Sequence, residues 1–283
     1  MAGRGASPAD RLLVAYFLVG ALAIALRRDH VAGWPYFLVL HAACLAIVAG
    51  LIAGSKRWPV LHAWYPILMA LVIFEEVAPL NLMFVGEWQD RHLLAFESAM
   101  FAQPPTVWLS RFASPLVTEV LAIGYFSYYV MLAGVALVLY RRRDMAAFQD
   151  VMASGVLAYL ICYVIFVVFP TEGPSHTLRH LQAGTFSGGP FWATVALIQA
   201  TAGVHGNAFP SAHAAGAMVA LVFSWRHVRW LTVSMLLFVI LMCVGAVYLR
   251  YHYASDMIAG LLVGLTACEY PRSRRRDVPP TAA

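Results

Sequence analysis

The sequence predicts an all-α protein, a polytopic membrane helical bundle of about eight spans. Hydrophobic residues make up 61% of the 283 residues and charged residues 12%, whereas soluble proteins contain about 45–50% and about 25% of these classes. The mean hydropathy is +0.73, and basic clusters repeatedly separate long apolar stretches. This composition excludes a soluble globular enzyme, a disordered chain, collagen and a small disulfide scaffold.

Apolar runs bounded by charged residues, Pro or Gly predict the individual helices. They cover residues 12–26, 36–53, 60–84, 116–140, 151–169, 209–225, 228–249 and 253–268. The first run lacks a small-x-small cleavage site, so we interpret it as a retained span rather than a signal peptide. Pro66 and Pro79 predict a kink in the third run, which leaves seven or nine spans as alternatives.

The distribution of Lys and Arg predicts the orientation of the bundle. With eight spans, the two termini and three connections share one side, and these segments hold 13 of the 19 basic residues. They are Arg4, Arg11, Lys56, Arg57, Arg141, Arg142, Arg143, Arg226, Arg229, Arg272, Arg274, Arg275 and Arg276. We therefore expect both termini to be cytoplasmic, in a bacterial-type cytoplasmic membrane. The long connections 85–115 and 170–208 are expected on the other face, with residues 100–112 as an interfacial or re-entrant segment.

One integral membrane domain, residues 1–283, accounts for the whole chain. Spans and the interfacial segment occupy residues 1–115, a helical core occupies residues 116–270, and residues 271–283 form a basic disordered tail. The basic residues flank apolar runs, so the net charge of +5 indicates membrane anchoring and no nucleic-acid partner. All four cysteines lie inside apolar runs, so we expect no disulfide, no metal site and no cofactor.

The segment GNAFPSAHAAGAMVA, residues 206–220, opens one predicted span on the outer side. Pro210 suits the first turn of a helix and Ser211 suits its start. The free N–H groups of Ser211, Ala212 and His213 would then point outward at the positive end of the helix dipole. Such a helix end is suited to binding an anion.

The segment YLRYHYASDMIAG, residues 248–260, opens the last predicted span on the same side. His252 and Asp256 are four residues apart, so on a helix they share one face and the carboxylate can accept a hydrogen bond from the imidazole. That bond fixes the tautomer and leaves the other ring nitrogen free to attack an electrophile. His213 could protonate a departing alkoxide, and Arg250 could reach phosphate oxygens. These residues predict metal-independent phosphoryl transfer through a phosphohistidine.

Structural interpretations compete with this one. A single histidine near a membrane interface usually snorkels or makes a structural hydrogen bond. We apply that interpretation to His41, His62, His92, His180 and His227. For His252 and Asp256 alone, a functional role and a packing pair are equally supported, but a second motif at the same face favours a functional site.

The residues FPSAH at 209–213 and HYxxD at 252–256 resemble the second and third signature motifs of the type-2 phosphatidic acid phosphatase superfamily. They are most similar to its membrane branch, which includes inositol phosphorylceramide synthases and sphingomyelin synthases. The stretch EVLAIGYFSYY, residues 119–129, is also similar to that branch.

This resemblance implies a helical core in the C-terminal part of the chain with its site at the outer membrane surface. It implies that His252 attacks phosphorus, Asp256 orients His252, and His213 protonates the leaving group. Ser211 and the following amide of Ala212 would hold the phosphate of a lipid substrate in the bilayer.

The chain also departs from the superfamily pattern. Family phosphatases carry Ser-Arg six and seven residues before the nucleophilic histidine, where this chain has Gly245-Ala246. Arg250 is the expected substitute for that arginine. Ala212 stands where many members carry Gly. Its Cβ atom leaves less room for a phosphate to approach the backbone.

The first superfamily motif, a Lys followed seven residues later by Arg-Pro, is absent. The loop PTEGPSHTLRHLQAG at 170–184 offers His176, Arg179 and His180 instead. Arg179 is a candidate phosphate ligand and His176 a candidate site-lining residue, and a solvated surface charge is the alternative for Arg179.

Three residues of the 119–129 stretch are candidates for lining the site. Glu119 is costly near the end of a span unless it is paired or hydrated, and a hydrogen bond to a neighbouring helix is the alternative role. Tyr128 and Tyr129 could line a lipid access route, although interfacial packing is the more common role of such residues.

Two further pairs have structural interpretations. Glu75 and Glu76 point about 100° apart on a helix, so at most one of them can face a shared cavity. Gly260 and Gly264 form a small-xxx-small pair, which predicts close helix packing behind the site.

The function that these residues support first is a membrane lipid phosphatase acting on a lipid phosphate or diphosphate. A phospho-headgroup transferase is the first alternative, because both reactions share the first half-reaction. A non-catalytic lipid-binding or lipid-translocating protein is the second.

Overall fold

A computed structural model of the protein describes residues 5–181, 185–202 and 205–271. Within these ranges the regular structure is helical, apart from one isolated bridge between Thr171 and Asn207. The predicted all-α helical membrane bundle is confirmed. The predicted basic tail lies outside the described residues, except for its first residue.

The described residues form thirteen α-helices and four short 3₁₀ turns. In chain order they are α1 (Pro8–Leu26), α2 (Trp34–Ala53), α3 (Pro59–Val77), α4 (Asp90–Met100), α5 (Pro105–Leu109), α6 (Pro115–Phe126), α7 (Tyr128–Arg141), α8 (Met145–Val168), α9 (Pro174–Thr177), α10 (Pro190–Ala202), α11 (Ala212–His227), α12 (Arg229–Tyr248) and α13 (Ala254–Ala267).

Proline and serine residues define many of the helix starts. Proline occupies the first helical position of α1, α3, α5, α6 and α10, where its missing N–H would have no partner within the helix. The hydroxyls of Ser7, Ser114 and Ser211 each accept a backbone N–H at the start of α1, α6 and α11. These caps satisfy donors that the first helical turn leaves unpaired.

Five helices, α1, α2, α3 with its following turn, α8 and α12, are long and apolar enough to cross a membrane. The pair α6 and α7 is a sixth if the two count as one span, bent by 41° at Ser127. Helices α11 and α13 are shorter, at 16 and 14 residues. Each of the eight predicted runs therefore corresponds to a helix or a bent pair. Helix α3 is continuous through Pro66, and the bend of 41° lies in the fourth run.

Helix α8 is the centre of the bundle. Of its most apolar stretch, 67% is buried, against 22–39% for the other single long helices. It packs against α1, α3, α7, α11 and α13. Because α11 and α13 also pack against each other, their N-terminal ends come together at one end of the bundle.

The two long connections contain helices that the apolar runs did not predict. Helix α4 lies in the first connection, and α10 lies in the second and packs against α6. The sequence analysis missed α10 because its 13 residues fall short of the about 20 that a span requires.

Buried polar pairs join α1, α2 and α3. His41 is 1% exposed; its Nδ1 lies 2.9 Å from the carbonyl oxygen of Phe17, and its Nε2 contacts the carboxylate of Glu76. His41 therefore makes a structural hydrogen bond, which was one of its two predicted roles, and does not snorkel, because a carboxylate on the neighbouring helix provides a buried partner. Glu75 is exposed whereas Glu76 is buried, as the predicted divergence of adjacent side chains requires.

A second polar cluster lies near the start of α1. Asp10 accepts a hydrogen bond from the hydroxyl of Tyr65 at 2.5 Å, and its other carboxylate oxygen lies 3.0 Å from Nε2 of His62. His62 therefore connects α3 to α1 through the structural hydrogen bond that was one of its two predicted roles.

The predicted close packing at Gly260 and Gly264 is confirmed. A Cβ atom added at Gly260 would collide with the carbonyl oxygen of Ser211, and one added at Gly264 would collide with that of Ala215. Glycine therefore allows the backbones of α13 and α11 to approach directly behind the paired helix ends.

Candidate active site

The N-terminal ends of α11 and α13 are joined directly through their backbones. The N–H of Ser211 donates to the carbonyl oxygen of Asp256 at 3.0 Å. The prediction that this N–H points outward is therefore wrong, because the neighbouring helix uses it. In the part of the chain that is described, the N–H groups of Ala212 and His213 remain as the first-turn donors without a hydrogen bond.

His252 lies just before α13 rather than on it. The helix begins at Ala254, so the predicted shared helical face of His252 and Asp256 is wrong, although their contact exists. Asp256 is the third residue of the helix, and its Oδ2 accepts the N–H of Tyr253 at 2.8 Å. The same oxygen lies 3.3 Å from Nδ1 of His252, because the carboxylate turns back over the start of the helix.

The tautomer of His252 follows from a backbone contact. Its Nδ1 lies 2.9 Å from the carbonyl oxygen of Ala208, and a carbonyl oxygen can only accept a hydrogen bond. Nδ1 therefore carries a proton, and in the neutral imidazole the lone pair lies on Nε2. His252 is 3% exposed and Asp256 0%, so both partners hold the ring in a dry environment.

Nε2 of His252 faces the second motif. Nδ1 of His213 lies 3.2 Å from it, and the hydroxyl oxygen of Ser211 lies 3.4 Å from it. Because Nε2 is the acceptor, Nδ1 of His213 holds the proton in this contact. A nucleophilic lone pair and a transferable proton therefore face each other at one point.

Aromatic rings surround His213. The ring centroid of Tyr128 lies 4.1 Å from that of His213, and the ring of Tyr125 lies at 5.5 Å. Tyr251 packs on Tyr125 at 5.1 Å, while Tyr129 packs on Tyr128 at 3.9 Å. Tyr128 thus contacts the predicted acid directly, and Tyr129 is one ring further out.

Tyr125 and Tyr251 were not singled out from the sequence. Tyr125 lies one helical turn before Tyr128, and Tyr251 is next to His252, so proximity to the two motifs is the signal that could have identified them. Partial burial of Tyr251 raises its pKa, which keeps its hydroxyl protonated.

Glu119 makes the contact that was considered as the alternative to a site role. Its carboxylate accepts the backbone N–H groups of Phe191 at 2.9 Å and Trp192 at 3.0 Å. These groups belong to the first turn of α10, where a carboxylate also interacts favourably with the helix dipole. Glu119 therefore fixes α10 against α6.

The candidate cations of the site have different environments. The guanidinium of Arg250 lies 4.4 Å from the ring centroid of Phe186, and its backbone is left-handed with φ of 69°. Burial lowers the pKa of Arg250. Arg179 and His176 are exposed, and the ring of His176 packs on His205 at 4.6 Å. Among the described residues, no hydrogen bond joins Arg179 or His176 to the two motif histidines.

Gly245 and Ala246 stand where family phosphatases carry Ser-Arg, and they contact the site through backbone atoms. The carbonyl oxygen of Ala246 accepts the N–H of Tyr251 at 3.0 Å and that of His252 at 3.3 Å. Gly245 lies against the carbonyl of Leu121, where a Cβ would be crowded. This turn of α12 therefore braces the histidine segment through its backbone and packs closely on α6.

The structure also brings residues to the site that the sequence analysis did not identify. Asp90 and Glu97, both on α4, hydrogen bond to Tyr253 and Ser255 on either side of the start of α13. Among the described residues, no group of three His, Cys, Asp or Glu side chains converges as a metal site would require.

Residues 91–269 match the family model described as the PAP2 superfamily. The chain belongs to the PAP2 superfamily. The matched region runs from the second residue of α4 to just beyond α13, and it contains both histidine motifs. It confirms the resemblance at the level of the superfamily. Searches of curated proteins and of solved structures found no match.

Proposed function

We propose that this protein hydrolyses a lipid phosphate or diphosphate through a phosphohistidine on Nε2 of His252. The observation that carries the proposal is the chain of contacts from the Ala208 carbonyl through His252 to His213. It leaves a lone pair on Nε2 and positions a proton 3.2 Å away. Membership of the PAP2 superfamily supports phosphatase or phosphotransferase chemistry.

In the first half-reaction, Nε2 of His252 attacks the phosphorus atom and the bond from phosphorus to the lipid oxygen breaks. The departing alkoxide takes the Nδ1 proton of His213, which acts as general acid in its protonated, imidazolium form and is left as the neutral imidazole. The imidazole becomes positively charged when it bonds to phosphorus, and the carboxylate of Asp256, 3.3 Å from Nδ1, stabilises that charge.

The phosphate oxygens would be held by donors at the start of α11. The N–H groups of Ala212 and His213 point into the positive end of the helix dipole, and the Ser211 hydroxyl is 3.4 Å from the attacking nitrogen. Arg250 and Arg179 would supply the positive charge that the superfamily arginine supplies in family phosphatases.

In the second half-reaction, His213 accepts a proton from water, and the resulting hydroxide attacks phosphorus. The phosphorus–nitrogen bond breaks, inorganic phosphate leaves, and His252 returns to its neutral form. With a diphosphate substrate, the same steps release a lipid monophosphate in the first half-reaction.

The site would face the non-cytoplasmic side of the membrane. The basic segments at residues 141–143 and 226–229 lie at the ends of α7 and α11 that are opposite to the site. By the excess of Lys and Arg on cytoplasmic segments, those ends would be cytoplasmic. Labelling of intact cells with an impermeant maleimide tests this: a Leu181→Cys variant should react, and an Arg142→Cys variant should not.

A phospho-headgroup transferase, similar to inositol phosphorylceramide or sphingomyelin synthases, is the second candidate. The aromatic surroundings of His213 favour it, because the acceptor of the second half-reaction must approach that base past Tyr125 and Tyr128. An alcohol carried on a lipid is compatible with an apolar approach.

The deciding experiment is product release by purified protein in detergent with EDTA. The substrates are phosphatidic acid, lysophosphatidic acid, polyprenyl phosphates and polyprenyl diphosphates, with the His252→Ala variant as the blank. Release of phosphate that depends on His252 supports the phosphatase. No release, followed by headgroup transfer when ceramide or diacylglycerol is added with phospholipid donors, supports the transferase. If neither product forms, both candidates fail and a lipid-binding role replaces them.

A further inference from the structure

Helix α4 buries two carboxylates on one face. Its buried residues are Asp90, Leu93 and Glu97, whose spacings of three and seven residues place them in one stripe. Asp90 is 4% exposed and Glu97 is 1% exposed. A helix with one apolar face normally directs its charged residues toward water, and burying a carboxylate is costly unless hydrogen bonds compensate for it. Hydrogen bonds to neighbouring segments must therefore compensate for the burial of these two carboxylates.

Glu97 satisfies the first turn of α13. Its Oε1 accepts the backbone N–H of Ser255 at 3.0 Å and the hydroxyl of Ser255 at 3.3 Å. The N–H of Ala254 also points at this carboxylate. These N–H groups belong to the first helical turn and have no partner inside α13. The start of α13 is therefore capped by a residue of a different helix.

Asp90 holds the other side of the same segment. Its Oδ1 accepts the hydroxyl of Tyr253 at 3.0 Å and the N–H of Gly173 at 2.9 Å, and its Oδ2 accepts the N–H of Glu172 at 2.8 Å. The Tyr253 hydroxyl also lies 2.5 Å from Thr177. Asp90 thus fixes both the residue after His252 and the loop before α9.

The two carboxylates consequently control the backbone on which His252 depends. Tyr253, Ala254 and Ser255 directly follow His252, and each of them interacts with Asp90 or Glu97. Asp256 contacts both the Tyr253 N–H and the His252 ring through one oxygen, so a displacement of this segment would move the nucleophile. A misplacement of about 1 Å can reduce a rate by about 10²-fold.

We propose that Glu97 and Asp90 are positioning residues, and that α4 acts as a clamp holding His252 in its reactive orientation. The proposal rests on the proposed function, since it concerns formation of the phosphohistidine. The family match supports the inclusion of α4, because it begins at residue 91, within this helix and well before residue 116.

The test compares Glu97→Ala with Glu97→Gln and with a control, Glu87→Ala. Glu87 is a surface carboxylate with 60% side-chain exposure, paired with Arg91, shortly before Asp90 in the chain. Two quantities are measured: kcat and KM for His252-dependent product release, and the rate at which diethyl pyrocarbonate modifies His252, followed by peptide mass spectrometry. The second measurement needs no turnover.

Glu97→Ala should lower kcat by about 10- to 100-fold with little change in KM, and it should accelerate modification of His252 severalfold. Glu97→Gln retains an oxygen acceptor and should recover most of kcat, whereas Glu87→Ala should leave both quantities unchanged. A Glu97→Ala protein that folds but matches the control in both measurements overturns the proposal.

Where Glu97→Ala does not fold, Tyr253→Phe carries the same test, because it deletes only the hydroxyl that contacts Asp90 and Thr177. It should lower kcat severalfold and increase modification of His252; wild-type values of both would overturn the proposal. If the wild-type protein forms no His252-dependent product, the proposed function fails. The modification rates still decide whether the α4 clamp orients His252.

Discussion

Nδ1 of His213 lies 3.2 Å from Nε2 of His252, although 39 residues separate them in the chain. The contact exists because Gly260 and Gly264 let α13 pack directly on α11, which aligns the two helix ends. Since the Ala208 carbonyl fixes the proton of His252 on Nδ1, this contact leaves the lone pair on His252 and the shared proton on His213, as the proposed mechanism requires.

The proposed role of His213 as general acid predicts that the effect of its removal depends on the leaving group. His213→Ala should slow formation of the phosphoenzyme from an alkyl phosphate by about 10²–10⁴-fold. The loss should be much smaller with an aryl phosphate such as 4-nitrophenyl phosphate, because its leaving group needs no proton. Rapid-quench measurement of the first turnover provides both rates.

His227→Ala is the matched control for that measurement, since His227 ends the same helix and lies at the opposite end of the bundle. It should leave both rates unchanged. Equal losses for the alkyl and aryl substrates in His213→Ala would contradict the acid role.

The apolar runs and the two motifs made most of the bundle and the centre of the site predictable from the sequence. Hydrophobic runs alone were sufficient to locate eight helices or bent helix pairs, of which five or six are long and apolar enough to cross a membrane. The spacing of His252 and Asp256 was sufficient to pair them. The helix start could not be predicted, because Asp256 turns back to cap the N–H of Tyr253 and so leaves His252 outside α13.

Apolar runs and motif spacings could not predict polar contacts between residues far apart in the chain. Glu97 and Ser255 are 158 residues apart, and His41 and Glu76 are 35 residues apart on different helices. No local periodicity connects such partners, so each residue alone resembles an ordinary interfacial charge. Helix α10 was missed for a different reason: it is too short to be recognised as a span.

Close packing behind the site predicts a strong effect of a single methyl group. Gly260→Ala would force a Cβ atom against the Ser211 carbonyl, so it should lower the free energy of unfolding by about 1–3 kcal/mol and reduce turnover. Thermal unfolding in detergent measures the change.

Gly50→Ala is the comparison, because Gly50 lies within α2 and has no neighbouring atom within 4 Å of an added Cβ. It should be neutral or stabilising by up to about 1 kcal/mol. Equal melting temperatures of Gly260→Ala and wild type would contradict the packing argument.

The buried pair of His41 and Glu76 predicts non-additive changes in stability. His41→Ala leaves the Glu76 carboxylate buried without its partner and should destabilise the protein by about 3–5 kcal/mol. A double variant, His41→Leu with Glu76→Met, should recover most of that loss, because two apolar residues need no partner.

Unfolding of His41→Leu, Glu76→Met and the double variant in one detergent gives the coupling free energy directly. Additive losses in the double variant would show that the two side chains do not stabilise each other.

Glu97 predicts a dependence of stability on pH. Burial raises the pKa of Glu97 above its ordinary value of 4.5, so the folded protein holds this proton at pH values where the unfolded chain has released it. Its contribution to stability is therefore complete at pH below 4.5 and is lost as the pH rises toward the raised pKa. The loss is at most about 1.4 kcal/mol for each pH unit in that interval.

Melting temperatures of wild type and Glu97→Gln between pH 4 and pH 7 test the predicted direction of this pH dependence. The wild type should lose stability relative to the variant as the pH rises, because glutamine does not titrate. A difference that is constant with pH, or one that grows in favour of the wild type, would contradict it.

Direct capture of the covalent intermediate tests the central claim. Purified protein with EDTA is mixed with ³²P-labelled phosphatidic acid, or with whichever lipid of the substrate panel gives product, and is quenched in alkali within the first turnover. The account predicts label on His252 that is stable in alkali and labile in acid, and no label in His252→Ala. Product formation by His252→Ala at the wild-type rate, with no labelled protein at any time point, would contradict it.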